Sequence, residues 1–259
     1  MDQAQQLRNI IKAGNTTYNR PLARIITVTS GKGGVGKSTL STTFAKILSS
    51  QGEKVLMIDF DISLRTLDIM LSVSDTVLYD WYDVITERCD SEAALLKTRG
   101  PYLLAAPIGD VRVNEEDIKK LVSLYEKDFD FIILDCPAGV GDVLSLTLSA
   151  ANTAFIISTS DSVCVRSAAV AAKKAADKGV STRLIINRFK KNTVTNGRAL
   201  NIDDVIDATG VQLIGVVPDD MDLSLSMLNG ELIDPALPSV KAVRRIIKRM
   251  NGENIPLNV

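Results

Sequence analysis

The segment GKGGVGKST, residues 31–39, restricts the possible folds of this chain more than any other part of its sequence. It follows the β-branched, apolar run at 24–30, and residues 37–51 after it have a helical pattern. A glycine-rich loop that ends in Gly-Lys-Ser between a strand and a helix is typical of a phosphate-binding P-loop. Its backbone N–H groups surround phosphate oxygens, and the helix N terminus adds a partial positive charge.

The residues of the loop have different predicted roles. Lys37 contacts the outer phosphates of a nucleotide, and the Ser38 hydroxyl is a ligand for Mg²⁺. The residues predicted to bind the phosphates are Gly31, Gly33, Gly34, Val35, Gly36, Lys37, Ser38 and Thr39. A glycine-rich turn with a coincidental Gly-Lys-Ser is the alternative, but it does not explain the strand and helix on either side. A P-loop needs one lysine, so the second lysine, Lys32, requires another explanation.

The rest of the chain alternates between short apolar runs and helical patterns. The predicted strands are 24–30, 54–59, 102–107, 129–135, 153–159, 182–187 and 211–218, and the predicted helices are 37–51, 115–127, 163–178, 202–209 and 240–250. This alternation predicts an α/β fold, a single-domain P-loop NTPase with a mostly parallel, twisted sheet and helices on both faces. We expect residues 1–19 to form a polar N-terminal extension and residues 20–259 to form the domain.

Histidine is absent from all 259 residues, which removes Ser-His-Asp and Cys-His catalysis and histidine-ligated metals. The three cysteines, Cys89, Cys136 and Cys164, form no C-x-x-C pair, so zinc, iron–sulfur and disulfide frameworks are not expected. The net charge of −1 indicates no specific nucleic-acid partner. The polar start does not resemble a signal peptide, and no apolar run reaches the length of about 18 residues that spans a membrane. We therefore expect a cytoplasmic protein.

Carboxylates at the ends of two predicted strands are the candidate metal and water ligands. Asp135 ends the run FIILD and is placed to hold Mg²⁺ together with Ser38. Asp59 and Asp61 stand two apart, so both side chains point the same way at the carboxyl edge of the sheet. We assign Asp59 to the magnesium site and Asp61 to positioning the attacking water. Turn capping is the alternative for each of these residues.

The loop GKGGVGKST resembles the deviant Walker A loop of the MinD/ParA ATPases. The motifs IDFDISLRTLD, LDCPAGVGD, LIINRF and GVVPDD extend the resemblance from about residue 25 to the carboxyl end. The resemblance implies an Mg²⁺-dependent ATPase that binds ATP and ADP, forms a homodimer with ATP and hydrolyses it slowly. It also explains Lys32, because the extra lysine of the family reaches across a two-fold axis to the phosphates held by the partner subunit. Lys32, Lys37 and Asp61 are then the catalytic residues.

The same resemblance assigns residues to the adenine base. Asn187 in INRF matches the adenine-contacting asparagine of the family, with Arg188 beside it and Pro218 and Asp219 against the base. An ordinary turn asparagine is the alternative. The sequence also departs from the MinD pattern, with Ser63 in place of a glycine, Thr66 in place of an asparagine, and Ser167 in place of an interface aspartate. These departures concern the dimer interface more than nucleotide binding.

Within the family the motifs resemble the MinD branch most, which implies a spatial regulator of division-site placement with a MinE-like activator. The segment DQAQQLR, from Asp2 to Arg8, resembles the start of FlhG, and implies an alternative role in flagellar number with an FlhF-like GTPase as partner. ParA-like positioning of DNA or cargo is a further alternative. The basic amphipathic helix 240–250 has two interpretations: the last helix of the fold, which we favour, or a peripheral contact with the inner face of the cell membrane.

Overall fold

The computed structural model describes residues 22–257, which surround an eight-stranded sheet. The strands are β1 (Arg24–Thr29), β2 (Val55–Asp59), β3 (Leu96–Lys97), β4 (Tyr102–Leu104), β5 (Phe131–Asp135), β6 (Thr153–Ser158), β7 (Ser181–Phe189) and β8 (Leu213–Pro218). Their order across the sheet is β3-β4-β2-β5-β1-β6-β7-β8. All neighbouring pairs are parallel except β3 and β4, which form an antiparallel hairpin at one edge. The predicted mostly parallel sheet is confirmed.

Helices cover both faces of this sheet. They are α1 (Lys37–Ser50), α2 (Leu67–Met70), α3 (Trp81–Ile85), α4 (Glu115–Ser123), α5 (Asp142–Ala150), α6 (Ser162–Asp177), α7 (Lys191–Thr195), α8 (Ile202–Thr209), α9 (Met221–Leu228) and α10 (Pro238–Met250). Helices α1, α9 and α10 share one hydrophobic core, and α4, α5, α6 and α8 pack on the opposite face. The predicted arrangement of helices on both sides is therefore confirmed.

The central strands are apolar at every position because each face of the sheet needs its own core. Met57 and Ile133 belong to the core beneath α1 and α10, whereas the adjacent Ile58 and Leu134 belong to the core beneath α4. Successive strand residues point to opposite faces, so a strand covered on both sides cannot alternate with polar residues. This requirement explains why these strands were recognisable as continuous apolar runs.

Several short elements were not predicted. They are the helices α2, α3, α5, α7 and α9 and the edge strand β3. Most of these span fewer than nine residues, too few for a helical period to be visible above the local composition. The predicted strand 102–107 is also too long, because β4 ends at Leu104. The proposed boundary between residues 19 and 20 lies outside the described residues and stays a prediction.

Helix α10 is part of the hydrophobic core. Val240, Val243, Ile246 and Ile247 are each at most 1% exposed. Ile246 fits over Gly215 in β8, where a Cβ atom would lie 2.3 Å from the isoleucine Cγ1. The interpretation as the last helix of the fold is confirmed. Because its apolar face is already covered, this helix cannot insert that face into a membrane, and a peripheral membrane contact stays a prediction.

The carboxyl end of α10 is attached to the first residue of β1. Arg24 donates hydrogen bonds from Nη1 to the side-chain oxygen of Asn251 (2.8 Å) and from Nη2 to the carbonyl of Met250 (2.9 Å). This contact lies at the amino edge of the sheet, since Arg24 begins the central strand.

Replacing Ile246 with alanine should lower the free energy of unfolding by about 2–5 kcal/mol, because the substitution leaves a cavity between α10 and β8. Ile69→Ala is the matched control: Ile69 is 52% exposed, so its loss should cost less than about 1 kcal/mol. Urea unfolding followed by circular dichroism measures both values. Equal effects would contradict the assignment of α10 to the core.

Candidate nucleotide-binding site

The loop between β1 and α1 lies at the carboxyl edge of the sheet, at its centre. Gly34 and Gly36 have positive φ angles of 76° and 90°, a conformation that favours glycine over residues with a side chain. Gly36 precedes α1, and no side chain of the described residues caps this helix. The first N–H groups of α1 are therefore available to an anion, as in other phosphate sites at helix N termini.

Gly31 is required for a different reason, namely its close approach to helix α6. A Cβ atom at Gly31 would lie 2.2 Å from the carbonyl oxygen of Ser167, which is backbone and cannot rotate away. The hydroxyl of Ser167 donates to the carbonyl of Val163 (2.9 Å). Ser167, which departs from the MinD pattern, therefore supports the start of the loop through its backbone.

Asp135 is the most buried charged group at the site, with no exposed surface. It accepts hydrogen bonds from the hydroxyls of Ser38 (Oδ2, 2.6 Å) and Ser41 (Oδ1, 2.8 Å). Burial raises the pKa of Asp135, while the nearby Lys37 ammonium and the two hydroxyl hydrogen bonds act in the opposite direction. The carboxylate thus joins β5 to the first turn of α1 beside the predicted magnesium ligand Ser38.

Asp59 lies next to Asp135, since the two residues are paired in the register of β2 and β5. Burial, followed by repulsion from Asp135, raises the pKa of Asp59 to about 8. The backbone N–H groups of Asp61 and Leu67 donate to its two oxygens at 2.9 and 3.3 Å and partly offset this effect. Asp61 follows the end of β2 by two residues and is 8% exposed. The structure therefore brings all three predicted carboxylates to one edge of the sheet.

The two lysines of the loop have contrasting environments. Lys37 is 8% exposed and contributes to the electrostatic field at Asp135. The side chain of Lys32 is 50% exposed, and its Nζ lies 3.9 Å from Oδ1 of Asp161. Partial burial would raise the pKa of Asp161, but hydrogen bonds from Cys164 and Thr159 outweigh it and lower the value to about 2. Lys32 therefore lies near a permanent negative charge on the surface.

Asn187 and Arg188 contact the phosphate loop from the end of β7. The Asn187 Nδ2 donates to the carbonyl of Val35 (2.7 Å), and the Arg188 Nη1 donates to that of Gly34 (2.8 Å). Arg188 has a positive φ of 52°, and the pairing of β7 with β8 is irregular at this position. A bulge of this kind turns side chains away from the regular ladder, here toward the loop.

A shallow cleft beside the loop contains the predicted adenine-binding residues. Its lining includes Gly36, Thr39, Asn187, Arg188, Pro218 and Asp219, and also Leu223 and Ser224 of α9. Asp219 is held by Lys190, whose Nζ lies 2.9 Å from its Oδ2. The predicted residues are therefore brought together, and their contact with a base stays a prediction.

The arrangement fits a nucleotide bound with Mg²⁺. Ser38, Asp59 and Asp135 supply oxygen donors, the type that Mg²⁺ prefers, and the loop supplies N–H groups for phosphates. Among residues 22–257 there is no group of three or more His, Cys, Asp or Glu that could hold a metal on its own.

Two residues at the site were not identified from the sequence. Ser41 lies one turn after Ser38 on α1, and the spacing STLS indicates that both hydroxyls face the same way. Asp161 is the N-cap residue of α6, and nothing in the sequence around it indicates that it lies close to Lys32.

The predicted partner segment from Asp2 to Arg8 lies outside the described residues. Within the described part of the chain, no helix is long and apolar enough to cross a membrane.

The geometry defines a P-loop nucleotide-binding domain, and comparison with known proteins identifies its class. The family model described as the CobQ/CobB/MinD/ParA nucleotide binding domain matches residues 26–233, so the chain belongs to this family. The match confirms the MinD/ParA resemblance and, with it, a nucleotide-binding ATPase domain.

Within this family the chain is similar to proteins named septum site-determining protein MinD. It is 34% identical over 248 residues to that of Bacillus subtilis, covering 92% of each chain. It is 36% identical over 243 residues to that of Synechocystis, covering 90% of this chain and 91% of the relative. These relatives confirm the likeness to MinD that the motifs indicated.

Solved structures give the same result. The MinC:MinD cell division protein complex of Aquifex aeolicus contains a chain with a TM-score of 0.84 and 34% identity, matched over 92% of this chain and 99% of that one. The Pyrococcus horikoshii MinD in complex with Mg-ADP has a TM-score of 0.80 over 89% of this chain and 96% of its own. At 23% identity the second structure supports the fold alone.

The raised pKa of Asp59 predicts how stability changes with pH. Because its folded-state pKa of about 8 exceeds the usual aspartate value of 3.8, the folded nucleotide-free protein holds a proton that the unfolded chain releases. The contribution of protonated Asp59 to the free energy of unfolding is complete below the unfolded-state pKa of 3.8, and it is lost as the pH rises toward 8. The free energy of unfolding should fall between about pH 4 and about pH 8, by up to about 1.4 kcal/mol per pH unit.

Asp59→Asn should reduce this fall, because the variant has no proton to lose at this position and removes the repulsion on Asp135. Urea unfolding across the pH range, without nucleotide or Mg²⁺, gives the two slopes. Identical slopes for the variant and the unaltered protein would contradict the prediction.

The contact of Gly31 with α6 leads to a second prediction. Gly31→Ala should lower the free energy of unfolding by about 1–3 kcal/mol, because the new methyl group overlaps the Ser167 backbone. Gly33→Ala is the control: its Cβ would be 3.7 Å from that of Ala138, an ordinary contact, and should change stability by less than about 0.5 kcal/mol. Thermal unfolding without nucleotide compares the stabilities of the two variants. Equal stabilities would contradict the prediction, because they would mean that α6 shifts to accommodate the new methyl group.

Proposed function

We propose that this protein is a MinD-like switch that binds ATP with Mg²⁺, dimerises in the ATP state and returns to the monomer by slow hydrolysis. The observation that carries the proposal is the unequal burial of the two lysines in one phosphate loop. Lys37 is 8% exposed beneath the loop, whereas the Lys32 side chain is half exposed at its surface. A single bound nucleotide needs only the first of these charges.

Phosphate binding is the task of the loop and the start of α1. The N–H groups that follow Gly33 hold phosphate oxygens, and the buried Lys37 balances their charge close to Asp135. Asn187 and Arg188 keep the loop in its binding conformation, since they donate to the carbonyls of Val35 and Gly34.

The carboxylates are assigned to two further tasks, magnesium binding and positioning of the attacking water. Ser38, Asp135 and Asp59 would hold Mg²⁺, which when bound neutralises phosphate charge. Asp61 is buried at the same sheet edge, and its Oδ1 accepts a long hydrogen bond of 3.3 Å from the N–H of Leu64. A carboxylate held this loosely can orient a water molecule without fixing it tightly. Slow hydrolysis that accelerates when a partner fixes this geometry is therefore expected.

Lys32 is assigned to the nucleotide of a second subunit. Its 3.9 Å contact with Asp161 is half exposed and contributes little energy, so the ammonium can leave it at small cost. In a face-to-face dimer the same group would reach the partner's phosphates and stabilise the charge that develops during hydrolysis, as an arginine finger does. Dimerisation and hydrolysis then depend on one residue.

The cellular role that we propose is placement of the division site. Its support is the set of relatives named septum site-determining protein MinD, each matched over most of its length. The Aquifex aeolicus neighbour was solved as a MinC:MinD complex, which supports a protein partner for the dimer of this chain. The ATP-dependent dimer would be the form that binds such a partner, and hydrolysis would release it.

Lys32→Ala should bind fluorescently labelled ATP with an affinity within about threefold of the unaltered protein, since Lys37 and the loop N–H groups remain. It should fail to dimerise with Mg·ATP, because the charge that neutralises the partner's phosphates is missing. Sedimentation velocity with ATP and with ADP, using Asp61→Ala to slow hydrolysis, measures the oligomeric state.

Lys119→Ala is the matched control for this experiment, since Lys119 is an exposed lysine on α4, which packs on the face of the sheet opposite α1. It should leave both ATP binding and dimerisation unchanged. A Lys32→Ala protein that forms the ATP-dependent dimer would disprove the proposed role of the second lysine.

A further inference from the structure

A second concave site lies away from the nucleotide. It is a groove of about 1000 Å³, within the size range of ligand sites. Its walls are the carboxyl half of α1, the first turns of α10, the turn between β3 and β4, and residues 230–235. The residues that line it do not include 31–39, and the function proposed above gives this groove no role.

The floor of the groove is continuous with the hydrophobic core. Ile47, Leu71, Val73 and Val240 line it and belong to the same buried cluster as α1 and α10. These four side chains are at most 7% exposed, so the apolar surface open to an occupant is that of Leu232, which is 76% exposed, and of the half-buried Ile233. An occupant with apolar side chains would therefore remove further apolar surface from water here.

The rim of the groove is positively charged. Lys46, Lys97, Arg99 and Arg244 line it, and within residues 22–257 none of the four forms a salt bridge. The lining carboxylate Glu231, whose Oε1 accepts from the neutral Asn229 Nδ2 at 3.1 Å, balances one of these four charges. The side chains that line the groove therefore carry three more positive than negative charges.

Two polar groups in the wall also favour an occupant. The Ser49 hydroxyl is buried and has no hydrogen-bond partner among the described residues, a state that costs free energy until an acceptor or donor arrives. Lys46 donates from Nζ to the carbonyl of Glu231 (3.1 Å), and burial lowers the pKa of its ammonium. A nearby carboxylate would favour the charged form of this lysine.

The walls are held in place before anything binds. The Ser72 hydroxyl donates to the carbonyl of Gly230 at 3.1 Å, and a Cβ atom at Gly230 would lie 1.9 Å from that hydroxyl oxygen. Gly100 in the β3–β4 turn lies against Lys46 of α1, with its missing Cβ 3.6 Å from the lysine Cγ. A preformed groove spares its occupant the cost of ordering the walls.

We propose that this groove binds an acidic peptide segment of a partner protein, with apolar side chains on the floor and carboxylates at the four rim cations. A small anion would leave the apolar floor unused. A lipid surface is flat or convex and would not enter a concave site, and a nucleic-acid backbone has no apolar side chains to place there. The combination of an apolar floor and a cationic rim fits an acidic amphipathic segment.

The test begins with a phage-displayed library of random twelve-residue peptides selected on the full-length protein. We expect the enriched peptides to combine net negative charge with at least two large apolar residues. Their affinity, measured by fluorescence anisotropy with synthetic peptides, should fall at least tenfold in Arg99→Glu and in Lys97→Glu. Lys97 ends the edge strand β3, Arg99 lies in the turn after it, and both are exposed, so the variants should fold; retained binding of labelled ATP verifies this.

Lys119→Glu is the matched control, because it makes the same charge change on an exposed lysine of α4 outside the groove. It should leave peptide affinity within about twofold. Enrichment of peptides without acidic residues, or equal weakening by the control, would overturn the proposal. So would phosphatidylglycerol vesicles or single-stranded DNA that bind the unaltered protein and lose binding in Arg99→Glu, while no acidic peptide does.

Discussion

The buried carboxylate of Asp135 is the group on which the rest of the site depends. It has no exposed surface, and it accepts hydrogen bonds from two serines in the first turns of α1. Removing a carboxylate from water costs several kcal/mol unless other groups compensate, and here two hydroxyls and Lys37 do so. These contacts fix the start of α1 relative to the central strands. The phosphate loop, which ends at that helix, is therefore positioned by an interaction that crosses the sheet edge.

The same edge contains an unfavourable interaction. Asp59 and Asp135 are paired across adjacent strands, and the repulsion between them helps to raise the pKa of Asp59 to about 8. Such an arrangement lowers stability without a ligand, and it is the kind of cost that proteins accept where a cation or a charged substrate completes the site. Lys32 lies outside this balance, on the surface beside Asp161. Under the proposed function, the inner charges would bind the nucleotide of one chain and the outer lysine would reach the nucleotide of a second.

The phosphate loop and the buried strands could be predicted from the sequence because interactions between residues close in the chain determine them. The phosphate loop could be recognised because backbone conformation and helix start are determined within nine residues. The strands could be recognised because coverage on both faces makes them apolar throughout. The assignment of Asp135 to the magnesium site followed from its position at the end of such a strand.

The remaining contacts depend on residues far apart in the chain, which no short pattern records. Ser41 reaches Asp135 across 94 positions, and Asn187 reaches Val35 across 152. The approach of Gly31 to Ser167 depends on where α6 crosses the loop, which the sheet order determines. Short helices such as α2 and α9 were missed because tertiary packing, not periodicity, stabilises them.

The bonds from Arg24 to Asn251 and Met250 place the entry and the exit of the described chain side by side. Both lie at the amino edge of the sheet, opposite the edge where the phosphate loop and the carboxylates meet. A fluorescent protein or an affinity tag joined at either position would therefore extend away from the nucleotide. The same proximity makes the domain suitable for circular permutation, with a short linker between the two positions and new ends in an exposed loop.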